Sequence, residues 1–314
     1  MNYRRWLGCC LILWLLLAGS VSAQQKSLEL PYINMEMFQA ATEAGSQGDH
    51  QRAAQIWQNI LESTERDPNL LFIVALSFAD ADSVDRAFAY LDEALELGFG
   101  RFEYLRTYPA LKKLHDNPRW PALLEKADAR QAMINEPLRQ ELLAMAEKDQ
   151  AIRNAYGAAV QEYGYNAPQA DSLRTEMETI DQAHEARLKE IVATYGWPKR
   201  RLVSRDGAHA AWLLLQHGTL DVQVEMLPLL LEAAEQGEAS WSDVAYVQDR
   251  VLFYQGKPQI YGTQLREYDD GRLEVAPIAD EAHVDERRAR AGLQPLAEYL
   301  RQFGITHEPS NTEK

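Results

Sequence analysis

The sequence predicts a mainly α protein in two parts, helical hairpins followed by an α-rich domain with one small β-hairpin. Three observations lead there. Two early segments repeat one helix-pair pattern thirty-four residues apart. Beyond residue 135, apolar residues keep helical spacing over long stretches. In one place only, two short β-type runs flank turn residues, Asp269-Asp270-Gly271.

The first helix pair reads Gln47-Gly48-Asp49-His50-Gln51-Arg52-Ala53, then Trp57, Ile60 and Leu61, and closes at Asp67-Pro68. The second carries Ala87, Leu91, Ala94 and Leu95 at matching offsets, with Ala75 and Phe78 in the helix before. A small residue at a helix crossing, with a large one four residues later, lets antiparallel helices pack closely. This grammar and its period of about 34 residues resemble tetratricopeptide repeats. The resemblance implies a helical-repeat domain over residues 34–130 whose groove takes a protein or peptide partner. The stretch from Arg106 to Pro121 is expected to be an irregular closing segment, not a third full repeat, with Leu111, Leu114, Trp120 and Leu123 sealing the last apolar face.

The N-terminus reads as a signal peptide over residues 1–23. Arg4 and Arg5 precede an uncharged apolar run from Trp6 to Ala18, and Val21 and Ala23 occupy the positions a signal peptidase reads. Cleavage is expected between Ala23 and Gln24, giving a secreted or periplasmic protein without a membrane anchor. The run is shorter than the ~20 residues of a membrane span. Both cysteines, Cys9 and Cys10, lie in this leader. The mature chain therefore has no disulfide, thiol nucleophile or cysteine ligand. A net charge of −15, made more negative by loss of Arg4 and Arg5, argues against nucleic acid, whose phosphates want a basic face.

Asn135-Glu136-Pro137 opens the second domain, expected over 135–305, with an N-cap and a first-turn proline. Leu138, Leu142, Met145 and Ile152 mark one long helix, broken at 164–168. Leu173, Met177, Ile180, His184 and Ile191 mark its antiparallel partner, ending at Gly196. Shorter helices are expected from Asp206 to Gln216, Val222 to Glu235, Trp241 to Gln255 and Asp280 to Ala291. The ribbon is expected to pair Gln259–Arg266 with Arg272–Val275, and 306–314 to be a polar tail.

Six motifs stand in order in this half: Tyr195-Gly196-Trp197-Pro198, Ala211 to His217, Asp249-Arg250-Val251-Leu252, Gln259 to Gln264, Val284 to Arg288, and Gly292 to Leu296. Together they resemble the bacterial domain-of-unknown-function family 6624 over roughly residues 137–303. That resemblance implies a domain boundary and carries no activity. The family pattern has an acid soon after the Gln-His pair; here Gly218-Thr219 follows His217 and the next acid is Asp221.

His217 heads the candidate chemistry, at the C-terminal end of an apolar helix whose dipole favours an imidazolium. Its plain role is a capping or buried histidine bonding a carbonyl. Its functional role is a general base or metal ligand beside Gln216, Tyr261 and Gln264, with Asp285 a further candidate. Asp149 and Arg153 stand at i, i+4, with Asp149 close to the apolar seam, so a buried polar network is open to them. Arg250, Asp285 and Arg287 have the chemistry to pin the ribbon and last helix to the bundle, with Asp285 expected as one half of a buried ion pair. His283 with Asp285, and His209 with His217, lack the spacing of metal pairs on a helix, and no nucleophile elbow or phosphate-cradling glycine loop is present. No metal or cofactor is expected. An exported protein-binding or scaffold protein is the leading reading; the alternative is an envelope hydrolase with a polar site around His217, Tyr261 and Gln264.

Overall fold

The computed structural model describes residues 30–268 and 271–307. The leader, its cleavage point, the turn residues Asp269-Asp270 and the tail from 308 lie outside the described residues.

The first unit is built from pairs α1 (Met35–Ser46) with α2 (His50–Glu62) and α3 (Pro68–Asp80) with α4 (Val84–Glu96). Local capping sets their starts. The side chains of Asn34, Asp49 and Asp67 accept from backbone N–H groups of the first turns, and Pro68 fills a position where no N–H is needed. Ala53 and Ala87 are buried, as the repeat register requires.

The closing segment keeps that register. Thirty-four residues after α3 comes α5 (Phe102–Thr107) followed by a 3₁₀ turn, Pro109–Leu114, and then α6 (Trp120–Ala132) in the place of α4. The missing continuity has a local cause: Pro109 forces Tyr108 out of the helical region, to φ −71° and ψ 126°. Ion pairs between residues 34 apart, Asp85 with Arg119 (2.7 Å) and Asp92 with Lys126 (2.9 Å), tie α4 to α6. This is a third pair with a broken first helix. Leu111, Leu114, Trp120 and Leu123 join the single core that runs from Ile33 to Ala127. Helix α3 has no exposed residue; it is packed on every side.

The second unit begins with α7 (Glu136–Tyr163) and α8 (Pro168–Tyr195), each 28 residues long. One half of this hairpin packs on α9 (Arg200–His217), α10 (Leu220–Glu235) and α11 (Trp241–Tyr254) through Leu142, Leu188 and Leu214. The other half closes on itself through Ile152, Tyr156 and Met177. α9 starts earlier than its apolar pattern suggests and is kinked at Ser204, at φ 61° and ψ 174°. The bend packs against the first unit so closely that a Cβ on Gly100 would overlap the Ser204 hydroxyl.

The ribbon is shorter than expected. β1 (Leu265–Glu267) pairs antiparallel with β2 (Leu273–Val275), Leu265 opposite Val275. Residues 259–264 are not a strand; they form a loop held by Asp249. Gly262, at φ 74°, passes so close to Ile278 and Leu296 that a Cβ would stand 2.8 Å from each. The helix expected from Asp280 resolves into a 3₁₀ turn, Glu281–His283, and α12 (Val284–Arg290), followed by α13 (Leu296–Arg301).

Buried polar contacts join the two units. Asp67, fully buried, accepts from Arg205 Nε at 2.9 Å. Gly98 lies against Arg200, where a Cβ would come within 2.8 Å of the Arg200 Cβ. Tyr32 donates its backbone N–H to Gly292 and its hydroxyl to Glu298. Among the described residues no helix is long and apolar enough to cross a membrane.

Candidate functional site

The 28-residue hairpin brings a polar cluster to the C-terminal end of α9. Leu142, Met145, Asp149, Ile152 and Tyr156 follow one helical stripe of α7, so Asp149 sits on the apolar seam and is 1% exposed. Arg153 lies one turn on. From α8, Asp181 and His184 face the same place, and α9 supplies His217 from its last turn.

His217 Nδ1 lies 2.9 Å from Asp149 Oδ2 and 3.0 Å from Oδ1. Arg153 Nη2 reaches Asp181 Oδ1 at 2.8 Å and Asp149 Oδ1 at 3.2 Å. Gln150 Nε2 donates to Asp149 Oδ2 at 2.7 Å. Arg153 Nε also approaches His217 Nδ1, at 3.0 Å. One ring nitrogen cannot donate to Asp149 and accept from Arg153 together, so the two contacts are alternatives. A carboxylate only accepts, so bonding Asp149 requires Nδ1–H and leaves the lone pair of the neutral ring on Nε2.

The cluster separates its acids. Burial pushes Asp149 up, but the His217 bond and the His217 and Arg153 charges hold it below the usual carboxylate range. Burial raises Asp181 to about 6 against the pull of Arg153, with the Asp149 charge adding to the rise. His217 is lowered, first by burial and then by Arg153 and Arg250, although Asp149 opposes this. The helix-end imidazolium expected from the sequence is therefore disfavoured: desolvation outweighs the dipole. His217 also bonds a carboxylate, not the carbonyl its plain role called for.

Its surroundings are ordered by side chains from three other helices. Arg250 Nη1 donates to the Gln216 carbonyl at 2.6 Å. Gln223 Nε2 donates to the carbonyls of Gln216 and Gly218, which fixes its amide and leaves its buried Oε1 without a partner. Glu185 of α8 accepts from Thr219 N at 2.8 Å.

The other sequence candidates are engaged elsewhere. Tyr261 donates its N–H to Asp249, gives its carbonyl to Arg288 and packs with Ala245 and Leu293. Gln264 donates from Nε2 to Thr263 Oγ1 and from its backbone N to Gln259 Oε1. Asp285 is exposed and, among the described residues, accepts only from Leu296 N, at 2.7 Å, which corrects the expectation that it is half of a buried ion pair. Arg287 does pin the loop, through the carbonyls of Ile260, Ala279 and Asp280. The fully buried fastener is Asp249, which accepts from the N–H groups of Ile260, Tyr261 and Thr263 and from the Thr263 hydroxyl.

His217 is thus brought together with Asp149 and Arg153, which stood out in the sequence, and with Asp181; their grouping did not. Gln223 went unnoticed; only its place one turn into α10 marks it. Among the described residues no cluster of three or more His, Cys, Asp or Glu side chains is suited to a metal ion.

A family model described as a family of unknown function, DUF6624, matches residues 136–307, from the first residue of α7 through the end of the described chain. The match covers more than half of the chain, and the protein belongs to this family. No curated protein and no solved structure matches it.

Proposed function

We propose that the chain is an exported acid–base enzyme of the hydrolase type, with Asp149 and His217 as its working pair and the tetratricopeptide-like array as its platform. The observation that supports this most is the division of two carboxyl groups on one arginine. Asp149, held ionised, orients His217, while Asp181, raised to about 6, keeps a share of its protons near neutral pH. Environments that push paired titratable groups apart are the usual basis of acid and base roles. The neutral His217 ring takes a proton from water at Nε2; the Asp149 carboxylate stabilises the imidazolium that forms; Asp181 supplies a proton to the leaving group.

A panel of chromogenic esters, amides, phosphoesters and glycosides tests the reading on the full chain. Turnover of one class is expected, falling ~10²–10⁴-fold in His217→Ala and in Asp149→Asn without loss of folding. Absence of turnover for every class, or an activity indifferent to His217→Ala, overturns it.

The second reading is a protein-binding scaffold. Its support is α1, where Met35 is 41% exposed beside exposed Glu36 and Gln39, whereas α3 offers no exposed residue. A partner on the array would dock along α1, and Met35→Glu should weaken its capture while Tyr108→Glu should not.

A further inference from the structure

A polar cavity of about 170 Å³ lies where the two units meet, far along α9 from His217. Its walls come from the α2–α3 turn, the start of α9 and the start of α11. Clefts between packed units are common ligand sites. One wall is a chain of three side chains. Glu65, 8% exposed, accepts from Trp241 N at Oε2 (2.9 Å) and stands 2.6 Å from Ser240 Oγ at Oε1. Ser240 Oγ stands 2.8 Å from Ser242 Oγ.

Arg200 lines the same cavity and is 4% exposed. Its Nη1 donates to the Gly237 carbonyl at 3.3 Å, and among the described residues no carboxylate lies within ion-pair distance of it. Buried charges are ordinarily paired, because desolvating an isolated one is costly. A guanidinium carries five N–H donors in a fork that matches an oxyanion.

We infer that this cavity binds a small oxyanion, with Arg200 as its cation and the Ser242 hydroxyl as a donor. The direction of the serine chain decides when that donor is available. Trp241 N–H occupies Oε2, so the proton of a neutral Glu65 sits on Oε1 and is donated to Ser240. Ser240 then donates to Ser242, and Ser242 turns its own proton to the cavity. With Glu65 ionised, Ser240 must donate to it and Ser242 to Ser240, so Ser242 shows an anion only lone pairs.

Burial raises Glu65 to about 7 against the Arg200 charge, and Asp67 adds to the rise. The remaining charged groups facing it are Arg205, bonded to Asp67, and His209, whose Nδ1 is 3.5 Å from Asp243. Oxyanion binding therefore tightens as Glu65 takes up its proton.

Isothermal titration of the full chain with sulfate and, separately, with acetate at pH 6 and pH 8 tests this. Both probes keep their charge over that range, and their comparison separates a tetrahedral oxyanion from a carboxylate. At least one should bind about tenfold more tightly at pH 6, the ratio of protonated Glu65 across a pKa near 7. In Glu65→Gln the amide donates to Ser240 and accepts from Trp241, so binding should keep its pH 6 strength at both pH values. Ser242→Ala, at a half-buried position, should weaken binding while leaving the melt unchanged. Failure of both anions to bind the parent, parent-like binding in Ser242→Ala, or a surviving pH dependence in Glu65→Gln overturns the inference; the last would assign the titration to His209.

Discussion

Asp149 and Asp249 are both buried aspartates on helices of the second unit, 1% and 0% exposed, and they do different things. Asp249 is surrounded by donors that cannot titrate: three backbone N–H groups and a hydroxyl, all from residues 260–263. Asp149 is surrounded by His217, Arg153 and Gln150, with Asp181 on the same arginine. The first arrangement holds a loop. The second holds a proton balance. Burial of a carboxylate alone marks neither; the chemistry of its partners separates architecture from a site. Arg288 belongs with Asp249, since it is 1% exposed, donates to the carbonyls of Gln294 and Tyr261 and lies over the Tyr299 ring at 4.9 Å.

The largest effect that tests this contrast is on stability. Asp249→Ala leaves three N–H groups without their acceptor, and each unsatisfied buried group costs ~1–3 kcal/mol. A loss of at least about 3 kcal/mol is expected in denaturant melts. Asp149→Asn keeps the shape and an acceptor, so its loss should be clearly smaller. Equal losses in the two variants would remove the distinction.

A smaller effect is expected at Asp285. Being exposed and holding the first N–H of α13, that of Leu296, it acts like a helix cap, and Asp285→Ala should cost ~1 kcal/mol by the same melts. A loss as large as that of Asp249→Ala would restore the buried-pair role that its sequence position suggested.

The smallest effect is a slope. Asp181 goes from an ordinary 3.8 to about 6 on folding, so between those values the native state binds more protons than the unfolded chain. Stability from this group is present at low pH and lost as pH rises through about 6. Glu65, raised to about 7, acts in the same direction over a higher window. His217, lowered by burial, acts in the opposite direction, so the comparison with the variant isolates Asp181: in urea melts from pH 4 to pH 7, Asp181→Asn should gain stability relative to the parent as pH rises towards 6. An unchanged slope would mean that Asp181 ionises normally and is no proton store.

Periodicity and capping carry most of what the sequence by itself determined. The thirty-four-residue register placed α2 and α4, the proline and asparagine signals placed the start of α7, and apolar stripes gave both long helices, because each signal acts within a few residues of itself. The seam position of Asp149 was legible for the same reason. The tertiary structure alone decided the rest. The third helix pair was hidden because Pro109 breaks its first helix while stacking preserves its register. The loop at 259–264 looked like a strand because its fastener, Asp249, lies on another helix. The bend at Ser204 lies against Gly100 of the other unit, where no Cβ would fit. His217 had no partner in sequence, since Asp149 is 68 residues away and Asp181 meets them only when α8 folds back along α7. Long-range pairing of polar groups depends on how the helices pack against one another, and no local pattern of residues encodes that.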